Sequence, residues 1–538
     1  MTSFADVAKA HVASTAASVD DANMTTTWNG AKSLKSTTSA RVDLFYAASR
    51  GIEKVRFVSL LDASMAEDAL HTLKLVAYIR DCRGGKGERE LGRWALERLA
   101  QTHPRALAHN LPHYVGDFGR FDDPAALMGT PVESATLAFL KSQLETDLAL
   151  LQQDATPTTE PEPETEGAEL AEKKRKVSIS LCAKWIPSEK KALDKKLKMN
   201  KKLAQHMGLT PAALRKQYLS PLRERLRILE RYMCANDWDA INLNAVPSVA
   251  MRIHGKPGKA FERHLPNKFT DWRSNLKTGK TKVNAKVLFP HDVVREYLNS
   301  SKAVDELLEA QWRVLVEEAS KHGDLSKTLV LSDVSGSMHG RPMEVSIALG
   351  LLVSSLALDA YKDLVLTFES SPRFHHVKGE TLQERVHNLA SAPWGGTTDF
   401  AAAFRAVLRL AKEAKLTREQ MPERLIVISD MQFNYADANY ETNYNALVRS
   451  FEDAGYDVPH VVFWNVNGST SDCPVYKGQA RVSLVSGFST AILKSVLRGV
   501  DITPLQTMLN VVLDQRYDAI TLPPEEPQDD DSSDAVLL

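Results

Sequence analysis

At 538 residues and 59.6 kDa the chain is too long for one ordinary hydrophobic core and calls for two or three domains. Its 43% hydrophobic and 25% charged residues exclude a wholly disordered chain, a collagen and a disulfide-stapled mini-scaffold. The net charge of −1 conceals an asymmetry: Ala171 to Pro290 holds 28 Lys/Arg against 9 Asp/Glu, a surplus of +19, so the remainder carries −20. Such a surplus is the footprint of a polyanion-binding surface, or else of a solvated basic face balanced by acid elsewhere. The four cysteines (Cys82, Cys182, Cys234, Cys473) form no CxxC, which points to a reducing, cytoplasmic setting. The N-terminus lacks a basic region followed by an apolar one, and no apolar run reaches membrane-spanning length, so neither export nor a membrane partner is expected.

Residues 1–154 read as helices. Ala69, Leu73, Val76, Ala77 and Ile79 recur near helical spacing through Met65–Arg80, and Leu91, Trp94, Ala95 and Leu99 do so from Glu88 to Leu99. Between them lies Asp81-Cys82-Arg83-Gly84-Gly85-Lys86-Gly87-Glu88, a glycine-rich basic turn. It has neither the Gly-Lys-Ser/Thr of a P-loop nor a strand before it. Its amides, with Arg83 and Lys86, suit a phosphate; the alternative is a plain connection between paired helices.

Residues 155–172 alternate Pro, Thr and Glu and cannot bury enough apolar surface to offset ordering entropy, so they read as a disordered acidic linker. Lys173-Lys174-Arg175-Lys176 follows, a solvated helix start or phosphate patch, or a nuclear import signal if the host has a nucleus. A second helical region occupies 173–321. Lys190–Lys202 carries seven lysines in thirteen residues, among them Lys195, Lys196, Lys201 and Lys202, and Arg223, Arg225, Arg227 and Arg231 stud an expected helix Pro221–Cys234. Trp185, Tyr218, Tyr232, Trp238, Phe261, Phe269 and Trp272 interleave with them. Basic residues with aromatics suit RNA, which offers phosphates and stackable bases, although aromatics are also the usual anchors of a core.

The period changes at Thr328. Apolar runs at Thr328–Leu331, Leu364–Phe368, Leu425–Ser429 and Val461–Val466 alternate with helical stretches such as Met343–Leu356 and Ala401–Leu410, which predicts an α/β domain over 322–515 with a mostly parallel sheet. From 516 to 538 the chain is acidic and Pro-rich and reads as a disordered tail. At the carboxyl end of the first run stands Asp333-Val334-Ser335-Gly336-Ser337-Met338. An Asp-x-Ser-x-Ser turn gathers a carboxylate and two hydroxyls around one point, hard oxygen donors suited to Mg²⁺ or Mn²⁺. Trp394–Phe400 and Ser429-Asp430 are the loops that complete such a sphere.

These three pieces resemble the von Willebrand A-type domain and its metal-ion-dependent adhesion site. By that resemblance Asp333, Ser335 and Ser337 are ligands of the first loop, Thr398 (with Thr397 as the alternative) of the second, and Asp430 of the third. IRDCRGGKGERE, AKWIPSEKKALD, YLSPLRERLRILERYMCANDWDAINLNAVPSVAM and KVLFPHDVV resemble the TROVE module of the Ro autoantigen ribonucleoproteins, joined to a von Willebrand A-like half. The resemblance implies HEAT-like helical repeats, a Rossmann-like α/β domain, and binding of small structured RNA. The expected protein is thus a non-enzymatic RNA-binding scaffold with a metal site for an acidic protein ligand. Candidate RNA contacts are Arg83, Lys86, Lys195, Lys196, Lys201, Lys202, Arg223 and Arg227, and no catalytic residue is assigned. A protein-assembly adaptor without nucleic acid is the alternative. An enzyme ranks third, since the turn offers mostly neutral oxygens and only the lone His339 stands near.

Overall fold

A computed structural model describes residues 21–155, 178–298, 303–323, 325–368, 371–392, 399–433, 443–497 and 502–525. Most of the acidic linker, the basic run 173–176, Thr397, Thr398 and the acidic residues Asp529–Asp531 lie outside them. The chain combines a helical N-terminal half with a C-terminal α/β domain. Among the described residues no helix is long and apolar enough to cross a membrane.

A short antiparallel hairpin, β1 (Met24–Thr26) and β2 (Lys32–Leu34), opens the described chain. Six further strands follow the helical region: β3 (Thr328–Ser332), β4 (Leu364–Thr367), β5 (Phe374–His376), β6 (Arg424–Ser429), β7 (His460–Asn465) and β8 (Val482–Ser486). They form one sheet in the order β5-β4-β3-β6-β7-β8, parallel throughout except for β5. β3, β6, β7 and β8 are buried at every position, as expected of parallel strands covered on both faces. Leu329, Leu331, Val427 and Phe463 pack with Phe400 and Phe404 of the helix Phe400–Glu413 and with Phe451 of the helix Asn443–Asp453. Against the opposite face lies the helix Arg341–Leu356, close enough that a Cβ on Gly350 would stand 2.9 Å from the Ser332 hydroxyl.

The chain divides into two compact units that cut across the boundaries read from the sequence. One comprises Met1–Ala95 with Arg223–Tyr517, the other Leu96–Leu222 with Asp518–Leu538. The first helices and the later part of the basic segment therefore belong with the sheet rather than with a separate helical half. The reason is a set of long-range polar links that periodicity does not register. Thr27 Oγ1 donates to the Phe433 carbonyl at 2.7 Å and Arg56 to the Thr470 carbonyl at 2.5 Å. Asp81, fully buried, accepts from both the Nε and Nη2 of Arg516 and from the Tyr517 hydroxyl.

The glycine-rich turn is the centre of this closure, and Lys86 is corrected from a phosphate contact to a core residue. Its side chain is fully buried, and its amine donates to the carbonyls of Phe45 and Ala48 (2.9 Å to the latter) and to the Ser486 hydroxyl of β8 (2.7 Å). Burial pushes the amine down to about 7, while three oxygen acceptors, one for each N–H, favour the charged form. Glu88, also buried, pairs with Arg50 at 3.0 Å. A Cβ on Gly85 would lie 2.2 Å from the Tyr78 carbonyl, and Gly87 takes a φ of +69°, so the glycines serve close packing and a left-handed turn.

Three further readings change. The helix expected over Met65–Arg80 is broken at Asp68, whose extended backbone and carboxylate cap a new helix, Ala69–Arg80, by accepting from His71 N. The helix expected over Pro221–Cys234 stops at Arg225, because Arg227 is left-handed at φ +46°, and resumes at Leu229. The tail read as disordered from 516 begins instead with the buried ring of Tyr517, and Ile520 is fully buried. Thr521 N donates to Asn110 at 3.0 Å. The basic segment's aromatics are largely core: Phe261, Phe269 and Trp272 are buried in one cluster with Met251 and Leu276.

Replacing Lys86 by Met keeps the volume and removes three donors, leaving the Ala48 carbonyl with only a long 3.5 Å bond from the Ser486 hydroxyl and taking the amine from the Phe45 carbonyl. We expect a loss of about 3 kcal/mol or more in chemical denaturation of the full chain. A loss below about 1 kcal/mol would show that the amine is dispensable.

Candidate metal centre

The strand order reverses between β3 and β6: the chain leaves β3 toward β4 on one side, and β6 leads to β7 on the other. Loops that diverge from the carboxyl ends of two adjacent parallel strands leave a crevice between them, where open α/β sheets bind their ligands. Asp333 and Asp430 are the first residues after these two strands. The Asp333 amide donates to the Ile428 carbonyl at 2.9 Å, continuing the ladder one residue past β3 and fixing the start of the turn.

Asp333 is fully buried and Asp430 almost so. Asp333 accepts from the Ser429 hydroxyl at 2.5 Å through Oδ2 and from the Ser335 amide at 2.9 Å through Oδ1. Ser335 immediately precedes the short 3₁₀ turn Gly336–Met338, and its hydroxyl lies 3.1 Å from that of Ser337. Gly336, Ser337 and His339 are exposed, so the turn forms the open side of the site. Asp430 accepts from the Gln432 amide at 3.2 Å, across a left-handed Met431 (φ +65°) whose side chain is anchored in the core. A non-glycine residue in that region costs on the order of 1 kcal/mol, and here it aims the preceding carboxylate.

Burial raises the pKa of Asp333 to about 6, against the pull of the Ser429 and Ser335 hydrogen bonds, and the neighbouring charge of Asp430 raises it further. Burial likewise raises that of Asp430, opposed by the Gln432 amide and the Ser337 hydroxyl. Among the described residues neither carboxylate pairs with Lys or Arg. Two desolvated carboxylates within range of each other are unfavourable without a counter-charge. A divalent cation with hard-oxygen preference is the counter-charge that two carboxylates and two hydroxyls fit. No three His, Cys, Asp or Glu side chains converge among the described residues, so the donor set is one of carboxylates mixed with hydroxyls.

Of the expected ligands, Asp333, Ser335, Ser337 and Asp430 come together, while Thr398 and its alternative Thr397 lie outside the described residues. Asp399, just after them, caps the helix Phe400–Glu413 by accepting from Ala402 N at 2.7 Å. The sequence reading passed over two groups. Ser429 lies inside the strand-end motif, one residue before Asp430. Gln432 has no local signal, because its partners come from residues 28, 29 and 472.

The expected RNA contacts differ in exposure and pairing. Lys195, Lys196 and Lys201 are exposed, whereas Lys202 is half-buried and paired with Glu133 at 2.7 Å. Arg227 is exposed; Arg223 is half-buried, its pKa lowered by burial with Arg231 adding to the effect. Arg83 is exposed at the edge of the Asp81 turn, its amide bonded to that carboxylate at 2.9 Å. The four lysines belong to one compact unit, the three arginines to the other.

Residues 27–122 and 135–325 match the domain of unknown function DUF2828, and residues 327–527 match the domain of unknown function DUF7788. The uncharacterized protein L728 of Acanthamoeba polyphaga mimivirus is 33% identical over 523 residues, covering 91% of this chain and 87% of that protein. The crystal structure of the Deinococcus radiodurans Ro (RSR) protein aligns with 88% of this chain and 92% of that one, at 15% identity and a TM-score of 0.30, a likeness too remote to carry an argument. With DUF2828 matching more than half of its residues, and a relative one-third identical along nearly all of it, the chain belongs to the DUF2828 family.

Proposed function

We propose that this chain is a non-enzymatic RNA-binding scaffold whose α/β domain holds one Mg²⁺ or Mn²⁺ and uses it to take an acidic side chain from a protein ligand. The observation that carries the reading is the convergence of Asp333, Ser335, Ser337 and Asp430 at the strand-order reversal, two buried carboxylates and two hydroxyls with an open side. These residues would hold the ion, and the ion would supply a fixed positive charge with coordination positions left for a carboxylate.

RNA binding is supported by the +19 surplus of Ala171–Pro290 and by the exposure of Lys195, Lys196 and Lys201. The pairing of Lys202 with Glu133 favours the second reading, an adaptor without nucleic acid, for that lysine alone. Salt dependence separates the two, because phosphate contacts release counterions and a solvated face does not.

Asp333→Asn keeps the shape of the turn and removes one charge. It should lower Mn²⁺ affinity at least tenfold by titration calorimetry while the circular dichroism of the chain is retained; an unchanged affinity would remove Asp333 from the site.

The triple change Lys195→Glu, Lys196→Glu, Lys201→Glu should weaken binding of labelled random-sequence RNA and flatten the log–log salt slope by about 2. A slope equal to that of the unmodified chain would assign these lysines to a solvated face.

Metal and RNA are expected to bind separately. EDTA should leave RNA affinity within about twofold; a tenfold fall, about 1.4 kcal/mol, would mean that the ion organises the RNA surface.

A further inference from the structure

The N-terminal hairpin carries the most exposed large hydrophobic side chain described. Trp28 is 93% exposed, whereas every other described tryptophan is buried or half-buried. Its neighbours Thr27 and Ala31 are buried, at 5% and 1%, so the turn is seated while the indole is left in water. The seating is specific and leads to the metal centre. Trp28 N donates to Gln432 Oε1 at 2.7 Å, Asn29 Nδ2 to the Gln432 carbonyl at 2.7 Å, and Thr27 Oγ1 to the Phe433 carbonyl at 2.7 Å. The same Gln432 donates its backbone amide to Asp430 and its side-chain amide to Asp472 at 3.1 Å, and Ser33 of β2 bonds Asp472 at 2.9 Å. One residue thus connects the tryptophan-bearing turn to a candidate ligand carboxylate. The Trp28 amide and that carboxylate are joined through the single residue Gln432 by hydrogen bonds of 2.7 and 3.2 Å, a path of about 10 Å at full stretch, the reach of about three extended residues.

An indole held in water by a rigid turn gains nothing for the fold, since its large apolar area stays unburied. Tryptophan is the side chain most often found as an anchor where a partner later covers it. We infer that Trp28 is the apolar half of a two-point docking surface whose polar half is the metal centre. The occupant is a protein segment bearing an Asp or Glu, which the cation takes, and a leucine-like or aromatic side chain about three residues away, which covers the indole. The charge complementarity is that of a cation for a carboxylate, and Gln432 holds the two halves in register. The inference rests on the metal reading above.

The test is selection of a random dodecapeptide phage library on the full-length chain in Mn²⁺, in EDTA, and on Trp28→Ala and Trp28→Phe. The exposed ring makes both variants foldable, and a melt followed by circular dichroism checks it. The expected result is Mn²⁺-dependent enrichment of peptides with an acidic residue and a nearby large apolar one. A synthetic consensus peptide should bind Trp28→Ala about tenfold or more weakly and Trp28→Phe with an intermediate loss. Mn²⁺-dependent acidic peptides with no apolar preference, or with one that Trp28→Ala leaves intact, would overturn the docking surface and leave the metal reading standing. Peptides enriched equally in EDTA would overturn both, and no enrichment at all would overturn the docking surface.

Discussion

Two carboxylates kept out of water beside each other are the constraint on which the rest of the α/β domain turns. Asp333 and Asp430 are placed by adjacent parallel strands that both run buried to their ends, at the point where the strand order switches. Hydrogen bonds from neighbouring groups reduce the cost of that placement. Ser429 and the Ser335 amide bond the first carboxylate, and the Gln432 amide bonds the second across a left-handed Met431. Among the described residues no side-chain cation pairs with either carboxylate.

The same unit is closed by contacts that join residues hundreds of positions apart. Lys86 ties the start of the helical region to β8, Asp81 holds Arg516 and Tyr517, and Thr27 reaches Phe433. Buried polar groups of this kind are costly when left unpaired and so specify one arrangement when satisfied. The α/β domain is therefore not an independent appendage to a helical half. Its sheet and the residues that follow β6 are partly held in place by contacts from residues 21–95.

Much of the fold was legible in the sequence because it is written in local pattern. The apolar runs marked β3, β4, β6 and β7 to within a residue or so, and the Asp-x-Ser-x-Ser turn with the later Ser-Asp pair located four residues that do converge. What escaped was β8, whose Val and Leu are interrupted by Ser483 and Ser486, together with pieces that are short or non-local. β5 has three residues with a half-exposed pattern, and β1 and β2 lie in a stretch of Thr, Ser and Lys that resembles a loop. Lys86 carries the charge expected of a phosphate ligand, and only the tertiary fold shows that its three partners are Phe45, Ala48 and Ser486. Gln432 was invisible for the same reason: its role exists only once residues 28 and 472 arrive beside it.

The central claim is that the Asp333–Asp430 cluster is a cation site, and the most direct measurement is an anomalous difference map from crystals grown with Mn²⁺. The account predicts one strong peak at the carboxyl ends of β3 and β6, with Ser335 Oγ and Ser337 Oγ about 2.1–2.3 Å away and the two carboxylates bound directly or through water. A map with no peak there under saturating Mn²⁺, or with its only peak at another cluster, would contradict it.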